Sequence, residues 1–245
     1  EFFYLDDEKI RQWGIEPEFL KPVIKSPREC RSIVIKPEDL KFKIFMCHKD
    51  KADLKGTYAL EYIKWGESQK FHLRPSCRGR QRWWDVGKRK KPSGIIPCSF
   101  RESFFVYQNT AVFADKRLYE LETKEPEFLL ACLNSSLFPL FLEMHTRSYG
   151  GGGGPIDATV YEVASILVLE LSSLTTAQLN ALRSVFSKMR EREIGSIFDE
   201  VLQPDRRALD DVVFDVLGLT AGEREAVYEA VVGLVRARLE KAESV

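Results

Sequence analysis

From about residue 30 to 171 the chain is built of short stretches in which every second residue is apolar, and this period of two constrains the fold more than any other feature. Successive side chains of a strand point to opposite faces, so residues two apart share the buried side of a sheet. Phe42, Ile44 and Met46 have this spacing, and similar runs stand at 32–36 (SIVIK), 58–63 (YALEYI), 104–107, 111–113 and 166–171. Gly66, Pro75, Gly87, Pro92, Gly94 and Asn109 punctuate them as turn residues. The pattern predicts a twisted, mainly antiparallel sheet. One helix is predicted inside this region, over 127 to about 145, where Leu130, Leu133, Leu137, Phe141 and Met144 recur at helical spacing. Pro126 suits its first turn, and Pro139 predicts a bend.

Beyond Leu171 the period lengthens to that of helices. Thr175 and Gln178 have the spacing of a capping box and open a face of Leu179, Leu182, Phe186 and Met189. A second helix over 206–217 presents Leu209, Val212, Val213, Val216 and Leu217 and stops at Gly218. A third starts at Thr220 with Glu223 and carries Val227, Val231, Leu234 and Leu239. The expected class is α+β: a sheet domain with packed helices over residues 1–172, then a small helical region over 173–245. With 245 residues, 44% of them hydrophobic, the chain can bury a core, which excludes general disorder. The opening EFFYLDDEKIRQWGI, without a methionine, reads as the interior of a folded region, so a longer parent protein is expected. The longest uncharged stretch, 128–142, is 15 residues and includes Asn134, Ser135, Ser136 and Pro139, so no membrane anchor is expected. Five cysteines (Cys30, Cys47, Cys77, Cys98 and Cys132), without a CxxC pair or a signal segment, point to a reducing cytoplasm.

Basic and acidic residues both number 37, so a charged partner has to be argued from distribution. Residues 70–91, KFHLRPSCRGRQRWWDVGKRKK, hold nine lysines and arginines against one acid, Asp85, a net of +8. Such density repels itself unless anions lie close. Arginine offers a planar fork for phosphate oxygens or the guanine O6/N7 edge, and lysine a point charge, so the mixture suits nucleic acid. Arg74, Ser76, Arg78, Arg80 and Arg82 alternate, which predicts an extended segment with these side chains on one side. Trp83 and Trp84 add stacking or wedge surface, and Lys88, Arg89, Lys90 and Lys91 a block of phosphate contacts. The competing reading is a solvated loop whose tryptophans belong to the core. A glycine tract at 150–154 can bring backbone amides close to a phosphate, and Arg147, Tyr149 and Gly151 complete the expected DNA-binding set. The tract lacks the lysine and hydroxyl of a Walker loop. Residues 191–245, with 13 acidic and 7 basic side chains, are an unsuitable phosphate partner.

Other chemistry is weakly represented. Asp115, Glu122 and Lys124 have the residue types of a metal-dependent nuclease, but Pro126 follows where a strand should continue, and solvated turn residues explain them better. His48, His72 and His145 do not stand with cysteine at zinc-finger spacing, so no metal site is expected. Neither a GxSxG elbow nor an HExxH helix occurs, and no catalytic residue is assigned.

Residues 19–26 (FLKPVIKS) as an entry segment, 62–67 (YIKWGE) as a turn before a basic loop, and Arg82 with Trp83 and Trp84 form the start of an ordered series. It continues with 133–136 (LNSS) on a helix, the glycine-rich loop, and a strand ending at Leu171 before Leu179 and Leu182. The series, across about residues 15–190, resembles the target-recognition region of adenine-N6 DNA methyltransferases of type IIG and related restriction-modification systems, akin to type I specificity subunits. The segment LDDVVFDVLGLTAGERE is similar to the tails of such methylases. The resemblance implies sequence-specific recognition of double-stranded DNA on behalf of an N-terminal methyltransferase domain of the same parent, which transfers a methyl group from S-adenosylmethionine. The glycine-rich cofactor loop and the [DNS]PP[YF] motif that holds a flipped adenine are absent from this sequence. Cofactor and catalysis are therefore expected in the missing domain, and this chain alone is expected to be inert. The alternative is a specificity-like interaction subunit that assembles with separate methylase or nuclease subunits.

Overall fold

The computed structural model describes residues 2–147 and 154–243. Its strands are β1 (Tyr4–Leu5), β2 (Leu20–Ile24), β3 (Phe42–Phe45), β4 (Gly94–Pro97), β5 (Ser99–Phe100), β6 (Tyr107–Gln108), β7 (Phe113–Ala114), β8 (Leu118–Leu121) and β9 (Ile156–Asp157). The helices are α1 (Asp7–Trp13), α2 (Tyr58–Ser68), α3 (Pro126–Leu133), α4 (Leu137–His145), α5 (Val160–Ala164), α6 (Thr176–Met189), α7 (Ile197–Glu200), α8 (Pro204–Leu217) and α9 (Ala221–Glu243). The fold is α+β, with sheets that are antiparallel except where β2 meets β7. Two compact units divide the chain: residues 1–29, 36–91 and 111–115, and residues 30–35, 92–110 and 116–245.

In the first unit the strands run in the order β1-β3-β2-β7, with Leu20 opposite Phe45 and Lys21 opposite Ile44. Phe2, Phe19, Phe45, Tyr62, Phe71 and Trp83 form an aromatic core beneath them. The segment YALEYI, expected as a strand and then a turn, is the first half of α2. Thr57 Oγ1 accepts the Leu60 N–H at 3.2 Å, and the Glu16 carboxylate accepts those of Tyr58 and Ala59 at 2.7 and 3.1 Å. The N-terminal donors are thereby satisfied. Ala59, Tyr62, Ile63 and Gly66 are buried at helical spacing, which six residues sampled too briefly to separate from a period of two.

The second unit has a three-stranded sheet, β6-β4-β8, a two-stranded pair, β5-β9, and the helices α3 to α9. SIVIK supplies only a single bridge, Val34 to Gln108, and 166–170 is irregular rather than a strand. The helix expected over 127–145 is two helices meeting at 60°, and the break lies at 134–136, not at Pro139. Asn134 turns its amide to the backbone of Val106, donating to its carbonyl at 2.8 Å and accepting its N–H at 3.2 Å. Ser136 donates its N–H and hydroxyl to Asp210 at 2.7 and 2.6 Å. Pro139 falls in the first turn of α4, where no helical N–H is needed. The capping box at Thr175 and Gln178 forms as expected, and α8 ends at Gly218 in the left-handed conformation. No single helix among the described residues is long and apolar enough to cross a membrane; α3 and α4 meet the length only together, across their bend.

Candidate nucleic-acid interface

The basic run leaves α2 through Lys70, in the left-handed region at φ 60°, and makes a 3-10 turn at Phe71–Leu73. It then continues through turns closed by Cys77 N–H to Arg74 O at 2.8 Å, Arg80 N–H to Cys77 O at 3.0 Å and Asp85 N–H to Arg82 O at 3.0 Å. The expected extended segment is absent because Phe71, Cys77, Trp83 and Trp84 are all drawn into the core, at intervals that fold the polar residues between them into turns. Each tryptophan is only 6% exposed, so neither offers a face on which a base could stack, and that expectation is corrected. The Trp83 ring lies 4.5 Å from Phe2, and its Nε1 donates to Glu67 at 3.0 Å. Glu67 also receives Lys51 Nζ at 2.6 and 2.7 Å. Burial acts to raise the Glu67 carboxyl, but Lys51 and Trp83 outweigh it and hold it below the usual range.

Asp85, the lone acid of the run, organises the end of this loop. Its Oδ1 accepts the Gly87 N–H at 2.8 Å and pairs with His48 Nδ1 at 2.7 Å, while Oδ2 accepts Arg82 Nε at 3.2 Å. The Asp85 carbonyl accepts Arg80 Nη1 at 3.2 Å. Arg82 reaches in the other direction to Asp50, with Nη1 to Oδ1 at 3.1 Å. Burial acts to raise the Asp85 carboxyl, yet the Gly87 N–H, His48 and Arg82 together keep it below its ordinary value. His48 and Asp50, absent from the sequence-based site, belong to it; their pairings span 37 and 32 residues of chain, and the local sequence carries no signal for them.

The other expected contacts divide by what already holds them. Arg89 Nη1 donates to Ala114 O at 3.2 Å, Arg74 lies over the Phe71 ring at 4.2 Å, and Lys91 lies over Phe113 at 5.8 Å. Arg80 also lies over the Phe3 ring at 5.4 Å. Ser76 is exposed, with its hydroxyl 3.8 Å from Cys77 Sγ. Arg78, Lys88 and Lys90 are exposed and have no side-chain partner among the described residues. Arg147 is exposed in the second unit, whereas Tyr149 and Gly151 lie outside the described residues. The first unit holds 21 basic and 15 acidic residues, a net of +6, and the second 16 and 22, a net of −6. The neutral chain is therefore locally polarised.

The residues of the nuclease alternative take ordinary places. Asp115 is buried and accepts the Tyr4 hydroxyl at 2.6 Å, while Glu122 and Lys124 are exposed after β8. Among the described residues no group of three His, Cys, Asp or Glu side chains is arranged to hold a metal ion.

No curated protein matches the chain. A solved structure titled "Characterization and crystal structure of the type IIG restriction endonuclease BpuSI" is similar over 96% of this chain, with a TM-score of 0.65 and 14% sequence identity. The likeness is one of fold, and the chain spans 28% of that protein's length. The family described as type II methyltransferase M.Eco57I, C-terminal domain, matches residues 1–203, a span that takes in α2, the whole basic run, the LNSS break and the capped helix α6. The chain therefore belongs to the M.Eco57I family of type II methyltransferase C-terminal domains.

Proposed function

We propose that this chain recognises double-stranded DNA sequence-specifically for a restriction-modification methyltransferase of which it is the C-terminal part. The observation that carries the reading is a run of net charge +8 anchored on an aromatic core, with Arg78, Lys88 and Lys90 presented to solvent. Anchoring matters because a fixed loop sets register on a duplex without first losing conformational freedom. The lysines and most of the arginines suit phosphate contacts that set register, and a subset of the arginines with nearby polar residues suits base edges in the major groove.

The resemblance of the sequence supports methyl transfer to adenine N6 by the remainder of the parent, which would hold S-adenosylmethionine. A groove of about 310 Å³ in the second unit is lined almost wholly by apolar side chains such as Leu133, Leu137, Phe141, Leu167 and Val213. The same groove favours the second reading, an interaction subunit whose apolar surface meets another protein.

A salt titration of binding to a random duplex pool tests the proposal, comparing the chain with a variant in which Arg74, Arg78, Arg80 and Arg82 are alanine. Steep salt dependence that the variant loses is the expected result. Equally steep binding by both would overturn the role of these arginines, and no binding by either would transfer the weight to the interaction reading.

A further inference from the structure

The cations of the run are not equivalent, and the difference lies in Asp85. Arg82 is 28% exposed and spans two carboxylates, those of Asp85 and Asp50, at 3.1 Å each. Arg78, eight or fewer residues from both ends of the same turns, has no such partner. A phosphate that engages Arg82 has to displace a carboxylate that is itself held by the Gly87 N–H and by His48. A phosphate that engages Arg78 displaces only water.

We infer that Asp85 is a positioning residue that withholds Arg82 from the DNA backbone and fixes the turn from which Arg78, Lys88 and Lys90 reach it. The inference rests on the proposed DNA-facing role of the run and assigns its parts. Arg82 is then a brace and not a reader, and His48, on the far side of the same carboxylate, completes the brace. Arg80 is shared: its guanidinium is tied to the Asp85 carbonyl, a neutral acceptor that leaves its charge uncompensated. Replacing Asp85 by asparagine keeps an acceptor for Gly87 and His48 but removes the anion that holds Arg82. Its remaining partner, Asp50, is 66% exposed and so weakly retained against a polyanion.

The test is the slope of log affinity against log salt for the whole 245-residue chain on a random duplex pool. Each phosphate contact contributes about one unit. The Arg78→Ala variant should flatten the slope by about one unit, Arg82→Ala should leave it unchanged, and Asp85→Asn should steepen it by about one unit. Asp85→Glu, which keeps the charge, should return it to the wild-type value. Arg82→Gln replaces Arg82→Ala if the alanine variant lacks a cooperative thermal transition. An Arg82 variant that flattens the slope as Arg78→Ala does, or an Asp85→Asn variant with the wild-type slope, would overturn the inference. If wild type and Arg78→Ala show the same shallow slope, the DNA-facing reading itself falls, and the inference with it.

Discussion

At Gly66 a methyl group has no room. An added Cβ would stand 2.5 Å from Trp83 Cη2 and 2.7 Å from Phe2 Cε2, and both rings are fixed by further aromatic neighbours. Gly66→Ala should therefore destabilise the chain by about 1–3 kcal/mol, the usual cost of overpacking, read as a lowered urea midpoint with unchanged m-value. Asp210 is a residue of a different kind. It is fully buried, and that burial raises its carboxyl to about 6 despite Arg206, the Ser136 N–H and hydroxyl, and Tyr228, all of which favour the anion. The fold thus binds this proton more tightly than the unfolded chain, whose aspartates titrate near 4. Below about pH 4 both states are protonated; between about 4 and 6 only the folded state is, so stability falls as pH rises through that window. The stability of wild type relative to Asp210→Asn should drop by up to about 3 kcal/mol between those limits, measured by denaturation at several pH values. A relative stability independent of pH would show that the carboxyl keeps its ordinary titration.

Elements with two independent signals were legible in the sequence, and most of those with one were not. The helix α6 combined a capping box with a long apolar face, and both formed; Thr175→Ala should cost about 1 kcal/mol in chemical denaturation. The strand β3 was readable from alternation because its partners on either side are strands too. The helix α2 was misread because its N-terminal donors are met partly by Glu16, 42 residues earlier, a contact with no trace in local sequence. The break between α3 and α4 was placed at the proline, the usual suspect, whereas it is made by Asn134 and Ser136 bonding outward to Val106 and Asp210. In the site, the charge of the basic run was legible and its conformation was not, since the burial of Trp83 and Trp84 depends on a core assembled from distant residues. The helices of the second unit are joined by a buried ion pair. Arg238 of α9 meets Glu143 of α4 at 2.7 Å, with side-chain exposures of 6% and 4%, and also donates to the carbonyls of Gly154 and Arg101. Arg238→Met leaves a buried carboxylate uncompensated and should cost about 3–5 kcal/mol; adding Glu143→Gln should recover part of it.

For the molecule as a whole, net charge is a poor guide to its partner. The chain sums to zero, yet its two units differ by twelve charges, +6 against −6. Screening reduces interactions between exposed charges to about 10 Å at ordinary salt, so a polyanion responds to the local excess and hardly to the sum. Two double variants separate these quantities. Lys88 and Lys90 are exposed in the first unit, and Lys124 and Lys188 are exposed in the second. Replacing either pair by alanine lowers the net charge by the same two units. If total charge governed binding, both variants would weaken it equally. If the run is the interface, Lys88→Ala/Lys90→Ala should flatten the salt slope by about two units across all duplex sequences, and Lys124→Ala/Lys188→Ala should leave it unchanged. Equal flattening in the two variants would spread the DNA contact over the whole surface. Unequal flattening in the expected direction would confine it to a loop whose shape is set by one aspartate and a core of aromatic rings.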